Sequence, residues 1–202
     1  MSTAGDHPAL GAPDLDLLQE IATIGCGRAV TALGALVRRR VDMDVPEAWV
    51  GRSEGAIADF LGHLGQELVA VGVRLEGLLG GHLVLALPGR DAERLASALG
   101  SPLRRPGAWG TLSESALMES GNIVGSAFVS AIARMVHGRL LLSPPELARG
   151  GGKACLDRLV PRDAGRVALA TRFSTDGPLE GLILVMPELA RLPALLASLR
   201  GA

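Results

Sequence analysis

The chain contains itself twice, and that constrains its fold more than any other feature. Laying residues 14–100 over 113–199, an offset of 99, sets Glu20 on Glu119, Ile24 on Ile123, Val30 on Val129, Ala32 on Ala131, Val37 on Val136 and Arg40 on Arg139. Pro46–Glu47 falls on Pro145–Glu146, and "LVLALP" ending at Pro88 falls on "LILVMP" ending at Pro187. Whatever the first half forms, the second half must form as well. The reading is a flexible N-terminal tail over 1–13, a first repeat over 14–100, a linker over 101–110 and a second repeat over 111–202, together one compact domain.

Each repeat opens with a long apolar pattern of helical period, about Leu15–Arg38 and Glu114–His137. The inward stripe is Leu18, Ala22, Gly25, Ala29 and Leu33 in the first, and Leu117, Gly121, Val124, Phe128 and Ile132 in the second. A short strand follows ("VDMDV", "RLLLS"), ended by Pro46 or Pro145. Then come a short helical segment ("EGAIADFLGHL", "GKACLDRL"), two strands joined by a hairpin turn ("GLLGG", "STDGP"), and a closing helix. The expected fold class is α/β, an α+β sandwich of two pseudo-symmetric repeats. The repeats share one largely antiparallel sheet, because neither could bury a sheet face alone.

Composition narrows the function classes. Apolar residues make up 48% of the chain, yet there are three Phe, two Trp and no Tyr, so a stacking platform for nucleic acid or sugar has little to be built from. The net charge is −1, and the short runs at Arg38–Arg40 and Arg104–Arg105 form no basic stripe, which argues against nucleic acid. No continuous apolar run approaches the ~20 residues of a membrane span. The first residues lack the basic start and apolar core of a signal peptide, so the expected location is cytoplasmic. Cys26 and Cys155 lie far apart with no metal-like spacing. His7, His63, His82 and His137 have no partner at ligand spacing and read as surface residues. Trp49 and Trp109 read as packing residues, with a partner-anchoring role as the alternative.

One polar pattern stands out against the apolar helices. Asp16, Glu20 and Thr23, and likewise Ser115, Glu119 and Asn122, fall at i, i+4 and i+7 and so share one helix face. A short Glu-x-x-Asn pair alone is usually just a solvated face. Here, however, 22 residues separate Thr23 from Pro46 and the same 22 separate Asn122 from Pro145.

The pattern Asp/Ser-x3-Glu-x2-Asn-x22-Pro resembles the signature of the CheC/CheX/FliY family of chemotaxis phosphatases, in its two-copy CheC arrangement. The second repeat shows it complete as Ser115, Glu119, Asn122 and Pro145. The first shows Asp16, Glu20, Thr23 and Pro46, with Thr in place of Asn. The resemblance implies hydrolysis of the aspartyl-phosphate of the chemotaxis response regulator CheY. Asn122 would hold the attacking water and Glu119 would meet a lysine of the regulator, with Asp16, Ser115, Pro46 and Pro145 in supporting roles. It implies no cofactor of the chain's own, the Mg2+ being the regulator's. Thr23 has two readings: a first copy that only preserves the fold, or a Glu-x-x-Thr pair (Glu20, Thr23) like that of many sensor histidine kinases. Alternatives from other classes are an adaptor that binds the receptor deamidase CheD, and a flagellar-switch-like protein. Because the duplication supplies its own symmetry, the expected state is a monomer.

Overall fold

A computed structural model of the chain describes residues 10–50, 54–136, 138–161 and 167–200. The elements run α1 (Ala12–Val37), β1 (Val41–Met43), β2 (Glu47–Val50), α2 (Glu54–Gly62), β3 (Leu68–Gly77), β4 (Gly81–Pro88) and α3 (Gly89–Ala98). After residues without helix or strand at 101–110 come α4 (Thr111–Met135), β5 (Leu140–Leu142), β6 (Glu146–Gly150), α5 (Gly152–Leu159), β7 (Val167–Thr175) and β8 (Glu180–Met186). A 3-10 turn at Leu189–Arg191 then leads into α6 (Leu192–Arg200).

The strands form one eight-stranded, wholly antiparallel sheet in the order β1-β7-β8-β4-β3-β5, with β2 also on β7 and β6 also on β3. The chain is therefore a mixed α+β fold, as expected from sequence. The halves interlace. The short strands β1 and β2 pair with β7 of the later half, while β5 and β6 pair with β3 of the earlier one. The centre is the β4–β8 pair, which joins the two.

Both faces of the sheet are covered, so its inner strands are apolar on both sides. On one face α1, α4, α3 and α6 enclose the larger core, which takes Val69, Val71, Val73, Leu83, Leu85, Ile183 and Val185 from the strands. On the other face α2 and α5 cover Leu68, Ala70, Val84, Ala86, Leu182 and Leu184. Cys26 sits in the first core and Cys155 in the second. The sheet lies between the two thiols, and both are free.

The long helices touch through small residues. A Cβ added at Gly25 of α1 would strike the Phe128 ring and come within 3.1 Å of Ile132 Cδ1 on α4. Gly125 of α4 sits close to the sheet, its added Cβ 3.1 Å from Val73 Cγ2. By length and composition α1 and α4 are each apolar enough to cross a membrane, which counting uninterrupted apolar runs had missed. About half of each apolar window is buried against the partner helix and the sheet, which accounts for the apolarity.

Several expectations need correction. Ala12 and Pro13 belong to α1 rather than to a tail, because the proline supplies a helical φ at the first turn and Asp14 Oδ2 accepts from Gly11 N–H at 3.0 Å. The second helix begins at Thr111 and its helical span ends at Met135; His7 and His137 lie outside the described residues. Pro46 and Pro145 do not end the strand region: β2 and β6 start at the next residue, with Trp49 inside β2. The proline interrupts pairing without ending it.

The constant offset of 99 also fails along the strands. Glu47 pairs with Ala170 and Glu146 with Gly72, so the facing-equivalent positions of β3 and β7 differ by 170 − 72 = 98. In β4 and β8, Leu83 pairs with Val73 and Ile183 with Thr171, which makes that offset 100. At 99, Leu83 and Leu182 are matched although they point into opposite cores. A one-residue slip reverses every side chain, and a strand that is apolar on both faces conceals it.

Candidate functional site

The polar positions of both long helices face outward from the first core. Asp16, Glu20, Thr23, Ser115 and Glu119 are exposed and Asn122 is half-buried, while their neighbours Leu18, Ala22, Leu117 and Gly121 are buried. The helical period produces this: with the buried stripe pinned to the core, the positions on the opposite side of the helix look out. The structure therefore brings Ser115, Glu119 and Asn122 onto one face of α4, and Asp16, Glu20 and Thr23 onto one face of α1.

The two faces differ in how their side chains are occupied. Among the described residues, the Asn122 carboxamide makes no hydrogen bond, and neither Glu119 nor Glu20 forms an ion pair or hydrogen bond. A half-buried, unengaged amide one turn from an exposed carboxylate offers a donor, an acceptor and a negative charge to whatever docks there. Thr23 is different. Its hydroxyl donates to the Gln19 carbonyl at 2.8 Å, one turn back, leaving only oxygen lone pairs pointing outward.

The supporting residues act differently from the sequence reading. The start of α4 is shaped not by Ser115 but by Ser113, whose hydroxyl accepts from Gly110 N–H at 3.1 Å and donates to the Gly110 carbonyl at 2.9 Å. A serine three residues past a helix-opening glycine was the available signal. Pro46 is buried, and its carbonyl accepts from Gln19 Nε2 at 2.8 Å, so α1 is tied to the turn between β1 and β2. Met118 holds the place of Gln19 on α4 and cannot donate. Nothing in the sequence pointed to Gln19. Pro145 lies half-buried at the matching turn, between Leu142 of β5 and Glu146 of β6.

Beneath α4 the fit is close. Gly121, between Glu119 and Asn122, lies on Val71 of β3, and an added Cβ would come within 2.9 Å of Val71 Cβ and closer still to Cγ1. The depth of Asn122 is therefore set by a glycine–valine contact. At the outer end, Glu114 pairs with Arg149 of β6 at 2.9 Å, and the Arg149 guanidinium lies 5.9 Å from the centre of the Trp109 ring. Trp49 packs edge-on against Phe60, with ring centres 4.8 Å apart. Both tryptophans thus contact other residues of the chain.

Among the described residues no group of three or more His, Cys, Asp or Glu side chains is placed to hold a metal ion. Burial pushes the Cys26 thiol up to about 12, and it also raises that of Cys155. Neither is a ready nucleophile.

No protein-family model matches the chain. Among curated proteins it is 31% identical over 137 residues to "CheY-P phosphatase CheC" of Bacillus subtilis (strain 168), which covers 66% of this chain and 65% of that protein. The match thus spans just under two thirds of the relative's length. Among solved structures, Thermotoga maritima FliY superposes with a TM-score of 0.71 at 15% identity, over 96% of this chain and 98% of that one. The FliM middle domain from H. pylori gives 0.64 at 12% identity over 94% and 99%. A chain of the CheX-CheY-BeF3-Mg2+ complex from Borrelia burgdorferi gives 0.59 at 17% over 84% and 99%.

Proposed function

We propose, from the premise that this chain is a relative of the CheC/CheX/FliY proteins, that it hydrolyses the aspartyl-phosphate of a CheY-type response regulator. The observation that carries the reading is the unengaged Asn122 carboxamide, held one turn from the unengaged Glu119 carboxylate on an exposed helix face. Support comes from the curated relative, a CheY-P phosphatase, and from a fold neighbour found in a CheX-CheY complex.

Hydrolysis adds water across the acyl-phosphate bond. The water oxygen bonds to phosphorus, the bond from phosphorus to the aspartyl oxygen breaks, and the products are the free carboxylate and inorganic phosphate. A regulator that brings its own Mg2+ neutralises the phosphoryl charge, leaving the helper protein to place the water. An amide is suited to that task. The Asn122 carbonyl accepts a water hydrogen, its NH2 donates alongside, and no negative charge is brought near the phosphoryl oxygens. Glu119 is the docking group for a cation on the regulator. In this reading the chain has no cofactor of its own and acts as a cytoplasmic monomer.

A second reading has a specific basis. The FliM middle domain shares the fold, so the scaffold alone does not imply catalysis, and a switch-like or CheD-binding adaptor role would use the same surfaces. Single-turnover decay of the phosphorylated regulator separates the two. Wild type should accelerate decay, and Asn122→Ala should lose about 10²-fold or more of that acceleration, the usual scale for one positioned polar group. Unchanged decay in the presence of wild type would leave the binding role as the function.

A further inference from the structure

We propose that the first-copy face, around Glu20 and Thr23 on α1, docks the same regulator but hydrolyses it poorly, and that Thr23 alone sets that difference. The proposal rests on the phosphatase reading above and assigns the origin of an asymmetry within it.

The frame of the two faces is the same. Leu18, Ala22, Gly25, Cys26, Ala29 and Leu33 are buried on α1, as are Leu117, Gly121, Val124, Gly125, Phe128 and Ile132 at the matching positions of α4. The outward residues therefore emerge from matching helical positions, Thr23 exposed and Asn122 half-buried. Glu20 is as free to meet a cation as Glu119. Each helix is braced to its own turn region differently: the Gln19–Pro46 bond ties α1 to its turn, and the Glu114–Arg149 pair ties α4 to β6. Exposed Ile24 and Val45 add apolar surface on α1 and on the turn before Pro46.

What the first face lacks is an outward amide with a free donor beside its acceptor. The Thr23 oxygen sits on Cβ, whereas the Asn122 oxygen and nitrogen sit one bond further out, about 1.2–1.3 Å. The Thr23 proton is also committed to the Gln19 carbonyl, so this face offers an acceptor without an adjacent donor. Misplacing a reacting water by about 1 Å costs on the order of 10²-fold in rate. The first copy therefore contributes about a hundredth of the turnover of the second.

The test places Thr23→Asn in an Asn122→Ala background and follows single-turnover decay of the phosphorylated regulator. Asn and Thr have similar helix propensities, and position 23 is exposed, so the change leaves the fold intact. The expected results are a residual activity of about one hundredth for Asn122→Ala, and recovery to within about tenfold of wild type for Thr23→Asn/Asn122→Ala. A structural role for Thr23 would produce no such gain. If Asn122→Ala is silenced and the double variant stays silent, the proposal is overturned while the phosphatase reading survives. If Asn122→Ala keeps half or more of the activity, the first copy already works as it stands, which overturns it as well. If wild type itself fails to accelerate decay, the phosphatase reading fails and takes this proposal with it.

Discussion

Gly121→Ala tests the link between packing and site most directly. The added methyl would lie 2.9 Å from Val71 Cβ and nearer to Cγ1, whereas carbon atoms pack best at about 3.5–4.0 Å. Val71 has little room to recoil. It is β-branched, buried, and held in β3 between β4 and β6. Relief comes from lifting α4 by roughly 1 Å. Overpacking of this kind costs about 1–3 kcal/mol, while Gly→Ala within a helix returns about 0.5–1 kcal/mol. The net destabilisation is therefore about 0–2.5 kcal/mol, which for a chain of this size lowers Tm by up to about 10 °C. Lifting α4 also displaces Asn122, so decay of the phosphorylated regulator should slow by up to about 10²-fold. Gly27→Ala is the control. Its nearest neighbour would be Met43 Cε at 4.0 Å, so it should stabilise by about 0.5–1 kcal/mol. Thermal melts of Gly121→Ala, Val71→Ala and the double variant complete a cycle with an expected favourable coupling of about 0.5–3 kcal/mol. A Gly121→Ala protein that melts above wild type, or a cycle without coupling, would refute the contact argument.

Two further outcomes follow from buried ionisable groups. Cys26 has its folded pKa raised from 9.0 to about 12 by burial, so the protein keeps its proton where the unfolded chain has lost it. Stability is then full below about pH 9 and declines by about 1.4 kcal/mol per pH unit above it. Urea midpoints at pH 8, 9.5 and 10.5 should fall progressively, and Cys26→Ala should flatten the trend; an unchanged slope in that variant would count against the assignment. Asp91 on α3 is almost wholly buried, and burial raises its carboxyl pKa while the hydrogen bond and charge of Arg94 oppose the rise. Arg94 Nη1 reaches Asp91 Oδ1 at 2.6 Å and the Pro178 carbonyl at 2.7 Å, tying α3 to the β7–β8 turn. Arg94→Leu removes the opposing group, so the folded pKa climbs further above its unfolded value. The resulting loss, about 1–3 kcal/mol at pH 7.5, should shrink as pH falls through that raised value and Asp91 takes up a proton. An equal loss at pH 4.5 and 7.5 would show that the carboxylate is not the cause.

By itself the sequence determined the kinds of element and the outward face of the long helices. A helix is a local structure whose buried stripe recurs every 3.6 residues, so the small apolar residues from Leu18 to Leu33 and from Leu117 to Ile132 located the core. They also placed Glu20, Thr23, Glu119 and Asn122 on the far side. The unusual Glu-x-x-Asn spacing was likewise legible, because it lies along the chain. Strand facing was not. With both sides of the inner strands apolar, no alternation marks the register, and an offset of 99 could be carried past a one-residue slip that the pairing of Glu47 with Ala170 and Glu146 with Gly72 reveals. Nor could the sequence show that β1 and β2 join β7 while β5 and β6 join β3, since those pairings lie more than sixty residues apart along the chain. The tertiary structure also decided which polar groups are engaged. Thr23 is bonded to its own helix and Asn122 is not, a difference set by side-chain length and by what lies within reach once the chain has folded.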